Sequence, residues 1–309
     1  MFETKDLEVD ISVQQPFGVL NSWHLRDLCA SGLPGRLRAL VRLIKQWAKS
    51  KAIHSAKSGG LSSYGWAMLA VGFLQETGLL PALIHERRYL TADDALWYVL
   101  EARDQRPEGL WGEPQLLSAD GESPEEAFQW PPELFRSFLQ WMQREALKPL
   151  ESQGYGYGSL PLSQRHIVSV RGLQSQQELR RAVASCPKAD HWNPAESEVF
   201  MLIEEPFTGE NVARAVRADG FRDIVAEVTR AGKAMENADA EAAFQELLAQ
   251  PALASSRASA RDGVGLWNGS KGARKRPWSG VEEQRKRPHP PPGPPPGAQR
   301  WGQSWQPWR

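Results

Sequence analysis

Cysteine is nearly missing from this chain: 309 residues hold only Cys29 and Cys186, each isolated, with no CxxC pair and no histidine cluster beside them. This excludes a disulfide-built scaffold, argues against structural zinc, and fits a reducing intracellular compartment, cytoplasmic before nuclear or organellar. Long apolar runs are missing too. The longest, around Trp66–Leu74, is far too short to cross a bilayer, and the opening MFETKD has no apolar signal core, so no membrane association is expected. Net charge is zero, with 37 basic and 37 acidic side chains, but the two signs are segregated. Residues 251–309 carry 11 basic and 3 acidic residues, which leaves 26 basic against 34 acidic in residues 1–250. An acidic body of this kind is a poor DNA binder, while the basic tail could touch a polyanion or a protein partner.

The residues that are present pattern mainly as helices. Leu7–Val13 alternates like a half-buried strand, with Glu8, Asp10 and Ser12 on the outer face, and Gln14–Gly18 with Pro16 reads as a turn. Helical spacing follows over Ser22–Ala30, Leu37–Lys49, Tyr64–Thr77 and Thr91–Leu100, the last opened by a Thr91/Asp94 capping box. Arg103–Pro124 is polar and rich in Gly and Pro. Pro131–Trp141 is amphipathic, Tyr155–Gly158 is a loop, and His166–Val170 and Phe200–Ile203 read as short strands. Gln177–Val183, Asn211–Arg230 (bent near Gly220) and Glu241–Leu248 complete the helices. Trp23, Trp47, Trp66, Trp97 and Trp141 all fall on predicted helices and read as core. Beyond Pro251 aliphatic periodicity stops, PPPGPPPG favours extended chain, and five Trp have little apolar company. Disorder is expected there, and a recognition tail and translated non-coding sequence are both open readings.

Three local features could carry chemistry. Asp10 lies on the first strand. Lys45 and Lys49 are four apart, hence on one helix face. Ser62, Ser63 and Tyr64 follow Gly59-Gly60 at a helix start, where backbone N–H groups and hydroxyls suit a phosphate. Singly, an edge-strand acid, a solvated face and an ordinary cap explain them as well.

In order along the chain they form a pattern. VDISV, NSWHLRDLC, LVRLIKQWAKSKAI and GGLSSYGWAMLAVGFLQ resemble the central block of the non-canonical poly(A) polymerase and terminal uridylyltransferase family. ELFRSFLQWM, HIVSVRG and MLIEEPFTGENVARAV resemble its PAP-associated region, so the likeness covers residues 7–230. It implies an α+β, mostly helical fold: a PAP/OAS1-like substrate-binding domain with a remnant of the nucleotidyltransferase palm sheet. Residues 1–14 would be the palm remnant and 15–250 the helical domain, with its PAP-associated region at about 132–230, followed by the tail 251–309.

The resemblance also implies a template-independent transferase that adds nucleotides to a single-stranded RNA 3′ end with Mg²⁺ (or Mn²⁺), from UTP or ATP. Asp10 matches the third catalytic, metal-binding carboxylate. Asn21 and Ser22 match a sugar-contacting pair, Lys45, Lys49 and Ser63 match triphosphate contacts, and Tyr64 matches the aromatic that stacks on the base. Glu205 stands for the usual Asp of the closing segment. Glu210 falls where uridylyltransferases of the fission-yeast type carry a histidine, in a segment one residue shorter than theirs, and the short acidic loop resembles uridylyltransferases enough to lean the reading to UTP without deciding it. A GS loop followed by a DxD pair, which would supply the other two carboxylates for two-metal catalysis, is not found in the chain. An incomplete transferase is therefore expected, with a non-catalytic RNA- or partner-binding relative as the alternative.

Overall fold

The computed structural model describes residues 15–32, 35–84, 89–102, 131–147, 166–171, 175–186, 200–236 and 238–253. The Leu7–Val13 strand with Asp10, the Arg103–Pro124 interval, the Tyr155–Gly158 loop and the tail beyond 253 lie outside them.

Helix α1, Pro16–Ala30, begins where a turn was expected. Proline suits the first helical position because its missing N–H would have no intrahelical acceptor there, so Pro16 starts the helix instead of delaying it. Helix α2, Arg36–Ser50, is amphipathic, and buries Leu37, Leu40, Ile44, Trp47 and Ala48. A short 3₁₀ turn, Ala56–Ser58, leads to α3, Ser63–Glu76, which is apolar all round and buried from Gly65 to Leu74. Helix α4, Ala92–Ala102, starts from the expected capping box: Asp94 N–H donates to Thr91 Oγ1 (3.2 Å) and Thr91 N–H to Asp94 Oδ2 (2.9 Å).

Helix α5, Pro131–Trp141, runs on into a π turn, Met142–Ala146. Next come α6, Gln176–Ala184, α7, Ala218–Met235, and α8, Ala240–Ala249. The helix expected from Asn211 thus begins only at Ala218. The Asn211 side chain satisfies local backbone instead, taking Ile203 N–H (3.1 Å) and Ala213 N–H (3.0 Å) at Oδ1 and donating to Met201 O (2.9 Å). Gly220 accordingly sits in the first turn of α7, not at a mid-helix bend.

Helix α5 is the hub, packing against α2, α3, α7 and α8, while α1 packs on α2 and α4. Aromatic rings knit these elements edge to face: Trp47 to Trp66 at 5.7 Å, Trp47 to Phe135 at 5.6 Å, and Phe135 to Phe244 at 5.1 Å. All four are fully buried, each stabilising the fold by about 1.5–3 kcal/mol. Trp141 is buried and Trp23 half-buried as expected, whereas Trp97 is 45% exposed beside Leu96 and Leu100. The two expected short strands reduce to one parallel bridge, Val168 to Ile203, and Glu204 bridges Asn211 in antiparallel fashion. No sheet is built among the described residues, which are mostly helical.

A buried ionic knot secures the last helix. Lys51 Nζ donates to Leu247 O and Gln250 O, placing a cation on the free carbonyls at the end of α8. Glu227 takes Arg230 Nη2 (2.6 Å) and Leu253 N–H (2.7 Å).

Candidate nucleotide-binding site

Three segments far apart in sequence meet at the Tyr64 hydroxyl. Tyr64 Oη donates to Asn21 Oδ1 of α1 (2.8 Å), and its proton also faces Glu205 Oε1 of the 203–211 loop (3.3 Å). Burial first, then the Glu205 carboxylate, holds the phenol well above its ordinary pKa, so it stays protonated and a donor.

Local backbone explains the position of Tyr64. Gly59 adopts φ +77°, and a Cβ there would sit 3.1 Å from the Arg217 side chain, while the Arg217 backbone N–H donates to Gly59 O (3.0 Å). A Cβ on Gly60 would meet Ile53 O at 2.8 Å. The two glycines therefore let the chain turn tightly against Ile53 and the residue before α7. The turn delivers Ser62 as the N-cap of α3, where its Oγ accepts Gly65 N–H (3.1 Å). Ser63 and Tyr64 open the helix, with Ser63 exposed.

Glu205 is set by its own loop. Glu205 N–H donates to Glu210 O (2.8 Å) and Gly209 N–H returns to Glu205 O (3.0 Å), closing a tight hairpin. Its Oε2 accepts Phe207 N–H (3.0 Å), Thr208 N–H (2.6 Å) and Thr208 Oγ1–H (2.7 Å). One carboxylate oxygen thus holds the loop while the other faces Tyr64. Glu210, half-buried at the hairpin's end, pairs with Arg214 at 3.3 Å. Lys45 and Lys49 are exposed on α2, and Ser22 is exposed with its hydroxyl donating to Gly18 O (2.8 Å). Among the expected site residues, Asn21, Tyr64 and Glu205 are in direct contact. Among the described residues no side-chain hydrogen bond or ion pair joins Ser22, Lys45, Lys49 or Ser63 to them, and Asp10 lies outside the described residues.

Several residues here were not foreseen from sequence. Glu204, fully buried behind Glu205, accepts from Tyr89 Oη (2.6 Å) and from Ser169 Oγ, with Arg171 Nη1 at 3.6 Å. Burial raises its pKa, against the pull of Arg171 and the two hydroxyls. Arg171 also lies over the Tyr89 ring at 4.6 Å, and that ring packs on Gly209. His24 is buried with its ring edge-on to Phe207 at 5.5 Å; desolvation lowers its pKa to about 4, opposed by Asp27. The adjacent carboxylates and the Arg-Gly after HIVSV were the available signals for the Glu204 cluster, but nothing in the sequence marks Tyr89 as their partner. Among the described residues no group of three or more His, Cys, Asp or Glu side chains could hold a metal.

No family model matches the chain. In sequence it is similar to the poly(A) RNA polymerase GLD2-B of Xenopus laevis, 27% identical over 233 residues, 74% of this chain and 38% of that protein. It is also similar to protein HESO1 of Arabidopsis thaliana, 32% identical over 90 residues, 29% of this chain and 17% of that one. Among solved structures, Cid1 in complex with the UTP analog UMPNPP aligns at TM-score 0.45 and 20% identity over 76% of this chain and 63% of that chain. The sequence likeness is thus to poly(A) RNA polymerases of the GLD2 type. The chain spans about two fifths of the length of the first curated relatives it matches (38%).

Proposed function

We propose that this chain is the nucleotide-holding part of a template-independent RNA 3′-terminal nucleotidyltransferase. The convergence of Asn21, Tyr64 and Glu205 carries the reading. Three segments that the family resemblance singled out, far apart in the chain, meet at one phenol, with the Glu205 carboxylate fixed beside it. In the proposed complex Tyr64 stacks on the base, which is worth about 1–3 kcal/mol and does not depend on which base it is. Asn21 and Ser22 meet the sugar, and Lys45, Lys49 and Ser63 take the triphosphate through charge-assisted bonds. Asp10 contributes one ligand to Mg²⁺ (or Mn²⁺). UTP is slightly favoured over ATP because the short acidic Glu205–Glu210 loop resembles that of uridylyltransferases; a glutamate there can accept from the N3–H of uracil or, through water, from the amino group of adenine.

The test is extension of a labelled single-stranded RNA in Mg²⁺ with each nucleoside triphosphate in turn. The 309-residue chain should bind nucleotide without extending RNA, because only Asp10 matches the three carboxylates of the family. A fusion that supplies a GS loop and DxD pair ahead of it should add nucleotides, uridine first, and Asp10→Ala should abolish addition. A fusion that folds and binds UTP but adds nothing would favour the non-catalytic alternative.

A further inference from the structure

Helix α2 presents one face that the nucleotide site does not use up. Arg38, Arg42, Lys45 and Lys49 are all exposed, and their spacing of four, three and four residues aligns them in one stripe opposite the buried Leu37, Leu40, Ile44 and Trp47. At 1.5 Å rise per residue the stripe is about 16 Å long. Helix α2 contains no Asp or Glu, and none of the four cations forms an ion pair among the described residues. Four parallel like charges repel one another, and a helix that keeps them without a neutralising carboxylate among the described residues gains from a bound polyanion. The setting sharpens this, because residues 1–250 hold 34 acidic against 26 basic side chains. Against that net acidity, four aligned cations offer a polyanion a local point of attraction.

The stripe also has a direction. At its Lys49 end the chain folds back, Ile53 N–H donating to Ala48 O (3.0 Å) and Leu61 N–H to Ile53 O (3.3 Å), and reaches Tyr64 three residues later. At its other end the Arg38 guanidinium lies beside Cys29, eight residues along α1 from Asn21. The stripe therefore runs from the Lys49 end, where the chain turns back toward Tyr64, to an Arg38 end that lies against α1 at Cys29.

We propose that this face of α2 is the track for the phosphate backbone of single-stranded RNA, with Arg38 and Arg42 gripping phosphates beyond the nucleotide. The proposal deepens the nucleotidyltransferase reading and rests on it for the choice of RNA as the polyanion. The experiment compares the full chain with its Arg38→Gln/Arg42→Gln variant, using fluorescence anisotropy of a labelled single-stranded RNA across a salt series. UTP binding is measured on the same samples. The basic tail is common to both proteins, so the difference isolates α2. Each phosphate contact on a single strand contributes about 0.7 to the salt slope, so the variant's slope should be shallower by about 1.4. Between about 50 and 200 mM salt the parent should then lose about sevenfold more RNA affinity than the variant, with UTP affinity equal in the two. An unchanged slope in a variant with the parent's circular dichroism overturns the proposal. A matching loss of UTP affinity also overturns it, assigning the stripe to the triphosphate. A shallower slope in proteins that bind no UTP upholds the track and removes the nucleotide reading.

Discussion

The two oxygens of Glu205 have separable tasks, and substitution should separate them. Oε2 accepts Phe207 N–H, Thr208 N–H and the Thr208 hydroxyl, whereas Oε1 faces Tyr64. Glu205→Ala removes all three loop contacts. Phe207 is buried, so its N–H would lose its partner without gaining water, at about 1–3 kcal/mol, and the charge-assisted bonds to Thr208 add about as much again. Part of this is recovered as water reaches Thr208, so a net loss of about 3 kcal/mol is expected. For a body of this size that lowers the melting temperature by about 6–12 °C. Glu205→Gln keeps a carbonyl oxygen for the three loop donors and turns an amide toward Tyr64, so its stability should stay within about 1 kcal/mol of the parent. Its fault should appear in nucleotide binding, because the acceptor facing Tyr64 has become a donor. Thermal melts by circular dichroism and UTP titrations of the same samples decide it. A Glu205→Ala protein that melts with the parent, or a glutamine variant as unstable as the alanine one, refutes the division of labour.

Gly209→Ala should destabilise by about 2–3 kcal/mol in urea unfolding: φ is +68°, and the new Cβ would sit 2.7 Å from the Tyr89 ring that braces Glu204. His24 is held neutral by burial, its pKa lowered from 6.5 to about 4, so the unfolded chain takes up the proton first as pH falls. Its contribution is complete above pH 6.5 and is lost as pH falls toward about 4, up to about 3 kcal/mol, and His24→Leu should flatten that part of the stability profile. Lys51→Met should cost about 2–3 kcal/mol in urea unfolding by removing the cation from the end of α8, and proteolysis should then cleave first near Leu247–Leu253.

The parts legible in sequence are those governed by local physics. Helices α2, α3, α5, α6 and α8 fell within a residue or so of their observed ends because their apolar positions repeat at helical spacing or their caps lie within four residues. The start of α1 was misplaced because Pro16 suits a turn and a first helical position equally. The start of α7 was misplaced because the Asn211 side chain competes with the helix by bonding backbone ten residues away, at Met201 O. Trp97 was assigned to the core by its pattern alone, and an exposed helix face was left out of account. For the site, Asn21, Tyr64 and Glu205 were legible through the family resemblance, not through spacing. The Tyr89–Glu204 bond joins residues 115 apart, and the Arg171 contacts depend on the same closure, which no local pattern encodes. The α2 stripe was visible only in part, since Lys45 and Lys49 stood out by resemblance while Arg38 and Arg42 needed the exposed face to be known.

The central claim is that Tyr64, held by Asn21 and Glu205, is the platform for a nucleotide base. Equilibrium titration of the 309-residue chain with UTP in Mg²⁺, beside its Tyr64→Ala and Tyr64→Phe variants, tests it most directly. Loss of a stacked ring removes about 1–3 kcal/mol, so Tyr64→Ala should weaken saturable UTP binding by about 5- to 150-fold. Tyr64→Phe keeps the ring but loses the hydroxyl that Asn21 and Glu205 hold, so its loss should be smaller than that of Tyr64→Ala. A parent that shows no saturable binding, or an alanine variant that binds UTP as tightly as the parent, contradicts the claim.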